Sequence, residues 1–147
     1  MKKIILTLAI ALGGFLTSNA QDAKPEVNPN APEITFTSEV IDYGTIEHNA
    51  DGNREFKFKN TGKEPLIITN CQGSCGCTVP TWPKEPIKPG ATASIKVKYA
   101  TDRTGGFEKT VTVSSNAKTP SKILKIKGFV KADPAAAPAE QAAPAGH

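Results

Sequence analysis

From residue 33 onward the chain alternates apolar and polar positions with a period of two. In Glu55-Phe56-Lys57-Phe58-Lys59 the two aromatics share one face and the lysines the other. Ser94-Ile95-Lys96-Val97-Lys98-Tyr99, Thr110-Val111-Thr112-Val113-Ser114 and Leu124-Lys125-Ile126-Lys127 repeat the pattern. One apolar and one polar face mark antiparallel strands with one side in water. Further strands are expected at 34–38, 65–71, 75–80 and 121–130. Turn chemistry separates them: Asp51-Gly52-Asn53, Thr61-Gly62-Lys63, Lys88-Pro89-Gly90 and Thr104-Gly105-Gly106. No stretch inside this region keeps a helical period of useful length. About seven short strands in roughly 100 residues predict an all-β domain, an Ig-like antiparallel β-sandwich.

The pattern is bounded on both sides. Residues 1–20 read as a signal peptide. Lys2 and Lys3 form a positive start, Ile4 to Leu16 a short apolar run, and Ser18-Asn19-Ala20 a small-residue cleavage site. The run is shorter than the roughly 20 residues of a transmembrane helix. No cysteine follows the cleavage site to accept a lipid, and no second apolar run follows. The expected mature protein therefore has no transmembrane segment and is exported, to the periplasm or to the cell surface. Residues 21–32 read as a flexible lead-in. Residues 132–147 read as an Ala/Pro-rich disordered tail with little to bury. The folding unit is 33–131, long enough for one core.

The whole chain carries a formal net charge of +4. Residues 33–131 hold 15 Lys/Arg against 10 Asp/Glu, a net of +5. If the strand at 55–59 neighbours the strand at 94–99, Lys57, Lys59, Lys96 and Lys98 share an outer face. Such a face attracts an acidic partner, and strand lysines also guard against edge aggregation. Nucleic acid is not expected, because few aromatics are available for stacking and the protein is exported. Trp82 lies in the semi-rigid loop Val79-Pro80-Thr81-Trp82-Pro83. It either marks a binding edge or folds over the end of the sandwich. An open sheet edge is a further place for a partner strand.

Every cysteine of the chain falls within Cys71-Gln72-Gly73-Ser74-Cys75-Gly76-Cys77. In an oxidising compartment an odd number needs explaining. Four readings are open. Cys71 could meet Cys75 or Cys77 across the Gln72-Gly73-Ser74 turn as a structural disulfide, contributing little because the loop is short. Cys75 and Cys77 could close a tight, reducible ring eased by Gly76. Three thiolates could hold copper or zinc, although His48 is the one histidine in the domain and reads as an exposed loop residue. Finally, all three could pack as small hydrophobes, Cys75 and Cys77 sharing one strand face with Val79. No Cys–His pair is identifiable, so no catalytic residue and no cofactor are expected.

Several of these segments occur in a characteristic order. They are Phe56-Lys57-Phe58-Lys59-Asn60-Thr61-Gly62, Pro65-Leu66, Ser74-Cys75-Gly76-Cys77-Thr78, Ile87-Lys88-Pro89-Gly90, Gly105-Gly106-Phe107 and Ser114-Ser115-Asn116. In this the chain resembles the secreted bacterial domain-of-unknown-function 1573 family. The resemblance implies an Ig-like sandwich related to abnormal-spindle/hydin and major-sperm-protein domains, which are mostly binding and scaffolding modules. The pattern centres on Cys75 and Cys77. Cys71 stands where a plain hydrophobe is more usual, which implies a core residue at a strand end. The expectation that follows is a non-enzymatic module of the cell envelope that binds a protein or glycan. The alternative is a thiol-redox or soft-metal protein working through Cys75-Gly76-Cys77.

Overall fold

Alternating burial runs through eight strands. In chain order they are β1 (Ile34–Phe36), β2 (Val40–Ile46), β3 (Asn53–Asn60), β4 (Ile68–Gly73), β5 (Thr78–Thr81), β6 (Thr92–Tyr99), β7 (Gly105–Ser115) and β8 (Ser121–Val130). The computed structural model describes residues 28–136. The expected signal peptide, the lead-in up to 27 and the tail from 137 lie outside the described residues. Two four-stranded sheets form, ordered β1-β3-β6-β5 (the first sheet) and β2-β8-β7-β4 (the second).

The core lies between the sheets. β3 supplies Phe56 and Phe58, β6 Ile95 and Val97, β7 Val111 and Val113, and β8 Leu124 and Ile126. None is more than 1% exposed. Burying each contributes about 1.5–3 kcal/mol, and together they form the main apolar layer. At one end Tyr99 of the first sheet stacks on Phe107 of the second, centroids 3.8 Å apart. Tyr43 meets Phe107 edge-on at 5.3 Å.

The structure differs from the sequence reading in three places. β2 is an additional strand. Its period is broken: among Val40, Ile41, Tyr43 and Ile46 only Tyr43 is buried, and the register shifts between Asp42 and Thr45. Gly44 sits there at φ 63°, a left-handed conformation that glycine adopts freely. The Asp42 carboxylate accepts the Gly44 N–H at 2.8 Å. The second difference is direction. β2 runs parallel to β8, whereas every other ladder is antiparallel. β1 lies in the first sheet, and three residues later the chain has crossed to the second, so β2 reaches β8 from an edge without a hairpin.

The third difference is at the cysteines. No strand spans 75–80; β5 starts at Thr78, and residues 74–77 form the turn between β4 and β5. At the chain's entry, residues 28–32 are tied to the domain. Asn28 Nδ2 donates to Glu64 Oε1 at 3.0 Å, and the Lys118 N–H donates to the Pro32 carbonyl at 2.9 Å. Beyond β8, Pro134–Ala136 form a short 3-10 turn.

Candidate functional site: the cysteine turn and the lysine face

β4 enters the turn along the edge of the second sheet, with Cys71 paired to Val113 and Gly73 to Val111. A Cβ on Gly73 would collide with the Thr78 carbonyl oxygen, so only glycine lets the two strands approach this closely. Backbone hydrogen bonds then fix the turn. Ser74 N–H donates to the Thr110 carbonyl at 2.8 Å, and Ser74 Oγ accepts the Thr110 N–H at 3.1 Å. Thr78 N–H donates to the Cys75 carbonyl at 3.2 Å, and Ala100 N–H to the Cys77 carbonyl at 2.9 Å.

Within this frame Cys75 and Cys77 form a disulfide, their Cα atoms 5.2 Å apart. Cys71 is a free thiol. The link across Gln72-Gly73-Ser74 is therefore not made. Cys71 points inward opposite Val113 and is 5% exposed. Burial pushes its thiol up to about 12, against a smaller opposing effect of the Lys84 charge. It behaves as the core hydrophobe that its position implied. The two bonded cysteines differ: Cys77 is 4% exposed, while Cys75 is half-buried and Gly76 is open to solvent. The Thr78 hydroxyl stands 3.7 Å from Cys75 Sγ and 3.8 Å from Cys77 Sγ.

The three sulfurs are thus divided between core and disulfide. Among the described residues no group of three or more His, Cys, Asp or Glu side chains is placed to hold a metal ion. His48 is engaged elsewhere. Its Nε2 lies 3.0 Å from the Asp102 carbonyl, and its Nδ1 lies 3.0 Å from Asn49 Nδ2 and 3.5 Å from Asp133.

Trp82 takes the folded placement. It is half-buried against the core, with the Lys84 ammonium 3.2 Å from its ring centroid. Its Nε1 is buried and has no hydrogen-bond partner among the described residues.

β3 and β6 are neighbours, as the lysine argument requires. The register pairs Lys57 with Ser94, Lys59 with Thr92, Glu55 with Lys96 and Asn53 with Lys98. The four lysines are all exposed on the outward face of the first sheet. Glu55 interrupts them and lies 3.5 Å from Lys57. On the second sheet, by contrast, the β8 lysines are matched by carboxylates: Lys122 by Glu39 at 2.7 Å, Lys125 by Glu108 at 2.7 Å and Lys127 by Asp42 at 3.3 Å. Lys59, Lys96 and Lys98 have no such partner among the described residues. Lys96 also borders an open groove of about 610 Å³ lined by Ile41, Asn53, Arg54 and Glu55. Ile41, on the strand β2 that the period-2 signal did not show, lines it beside residues of β3 and β6.

The sequence model of a family described as "Protein of unknown function (DUF1573)" matches residues 34–130. No curated protein matches the chain. Among solved structures, the fold is similar to a protein of unknown function from Porphyromonas gingivalis W83 (14% identity, TM-score 0.62, covering 73% of this chain and 51% of that one). This chain thus spans about half the length of that protein. It is also similar to the ASH/PapD-like domain of human CEP192 (9% identity, TM-score 0.59, 86% of this chain and 100% of that one). A third similarity is to the CsuC–CsuE chaperone–tip adhesion subunit pre-assembly complex of Acinetobacter baumannii (13% identity, TM-score 0.50, 67% and 57%). At such identities the likeness is one of fold.

Proposed function

The chain belongs to the DUF1573 family, and from that premise we propose that it is an Ig-like module of the bacterial cell envelope that binds and scaffolds a partner on a sheet face without catalysing a reaction there. The N-terminal pattern supports export to the periplasm or the cell surface. Among the described residues no helix is long and apolar enough to cross a membrane. The partner is an acidic envelope protein or glycan, held on the outward face of the first sheet. One observation carries this reading: the lysines of β8 are neutralised where they stand, while those of β3 and β6 are largely left to the solvent. A sheet face with unmatched cations attracts polyanions over about a Debye length.

The test compares two sets of substitutions. Lys57, Lys59, Lys96 and Lys98 are changed to Gln in one variant, and Lys122, Lys125 and Lys127 in the other. Binding to polygalacturonate, a carboxylated glycan, is measured at several ionic strengths. The first variant is expected to lose at least about tenfold in affinity at low salt and the second much less. Equal losses would mean that net charge alone is read, and the face would have no special role.

A further inference from the structure

The disulfide closes a turn that hydrogen bonds also hold. The Ser74–Cys77 turn is held to β7 by two hydrogen bonds through Ser74, and to the loop after β6 by the Ala100 bond. A bond that closes a loop of one intervening residue removes little entropy from the unfolded chain. Its position instead favours chemistry. Cys75 is half-buried beside exposed Gly76, whereas Cys77 is enclosed. Of the two bonded residues, Cys75 is therefore the one an incoming thiolate can approach from solvent. Thr78 supplies the complementary group. It is 2% exposed, and the hydrogen-bond partners of its hydroxyl among the described residues are the two sulfurs. A disulfide sulfur carries no proton, so the hydroxyl donates, and it is placed to donate to whichever sulfur becomes a thiolate. The remaining cysteine does not interfere. Cys71 faces Val113 in the core and is buried as a neutral thiol.

We propose that Cys75–Cys77 is a thiol–disulfide exchange site whose substrate class is a dithiol, such as a reduced cysteine pair of another exported protein. One substrate thiolate attacks Cys75 Sγ. The Cys75–Cys77 bond breaks, and its electron pair leaves on Cys77 Sγ, which receives the Thr78 hydrogen bond and then a proton from solvent. The result is a mixed disulfide on Cys75. The second substrate thiolate attacks the substrate sulfur of that mixed disulfide and releases Cys75 as a thiolate, which is protonated in turn. The substrate dithiol loses two electrons and two protons to become a disulfide, and the protein gains both as two thiols. This activity is separate from partner binding on the lysine face.

The test uses the purified protein, with dithiothreitol as the dithiol and glutathione as a monothiol probe. Thiols are mapped by alkylation and mass spectrometry under native conditions. Dithiothreitol is expected to open Cys75–Cys77 in the folded protein, leaving its circular dichroism and urea midpoint nearly unchanged. Glutathione is expected to appear on Cys75. Thr78→Val should slow exchange about tenfold by removing the donor to the leaving sulfur, and Thr78→Ser should restore it. If Thr78→Val does not fold, the wild-type mapping decides the exchange itself. Reduction that occurs only in urea, or that unfolds the protein, overturns the proposal in favour of a structural staple. Glutathione on Cys77 alone overturns the order of attack, and an unchanged rate in folded Thr78→Val overturns the role of Thr78.

Discussion

Cys71 shows how one residue's environment decides its chemistry. Seven residues hold three cysteines, yet the one on β4 is a packing residue and the two in the turn are bonded. Because burial raises the Cys71 thiol to about 12, its thiolate is scarce at neutral pH. Iodoacetamide at pH 8 is expected to leave Cys71 unmodified in the native protein and to label it after urea unfolding. Cys71→Ser puts a hydroxyl among apolar neighbours and should cost about 1–3 kcal/mol, read from the urea midpoint. Labelling of the native protein at the rate of a free cysteine would show that β4 opens locally. Spacing alone left the pairing open, since Cys71 could reach either partner on paper. In the fold Cys71 stands opposite Val113 as a free thiol, and Cys75 bonds Cys77 instead.

Asn60 does at the level of elements what no apolar residue could do. The β3 alternation points Phe56, Phe58 and Asn60 inward, so a polar residue falls at a core position. It is 0% exposed and fully used. Its Nδ2 donates to the Glu64 carbonyl at 2.8 Å and the Ile87 carbonyl at 2.9 Å. Its Oδ1 accepts the Gly62 N–H at 3.0 Å and the Glu33 N–H at 3.4 Å. These bonds fasten the entry to β1, the loop after β3 and the segment before β6. Asn60→Ala would remove four hydrogen bonds to backbone groups of three segments at once and is expected to cost about 2–4 kcal/mol, measured by chemical denaturation. A loss below about 1 kcal/mol would show that these loops are held by other contacts. The alternation contained the signal for Asn60. Its partners did not, because they lie on segments far away in sequence.

Across the whole molecule, the aromatic cluster clamps one sheet to the other. Tyr43 adds a polar anchor, its hydroxyl donating to the Gly52 carbonyl at 2.9 Å. Burial raises its phenol from 10.0 to about 12, partly offset by Arg54, whose guanidinium lies 4.6 Å from the ring centroid. The neutral phenol is therefore favoured in the folded state. Its contribution is complete below pH 10, where the unfolded tyrosine is also neutral, and is lost as pH rises from 10 towards 12. Tyr43→Phe is expected to lower stability by about 1 kcal/mol at pH 7, where it abandons the Gly52 carbonyl. It should also make the decline between pH 10 and 12 shallower than in the wild type. Parallel declines in the two proteins would mean that Tyr43 ionises without penalty. At the same scale the charge is uneven: both sheets carry outward lysines, but only on the second does each β8 lysine meet a carboxylate across a strand or loop.

The sequence by itself determined which residues of the regularly alternating strands enter the core and that the domain is a two-sheet β structure. Period-2 alternation is a property of each strand, and Phe56, Phe58, Ile95, Val97, Val111 and Leu124 announce their inward face without reference to partners. It also placed β3 beside β6 as a condition, which the register satisfies. What lay beyond it depends on segments distant in the chain. The parallel entry of β2 beside β8, the placing of Cys71 opposite Val113 and the carboxylates that neutralise one lysine face are examples. These are pairings between surfaces that exist only after the sheets have closed, and no local pattern of residues encodes them.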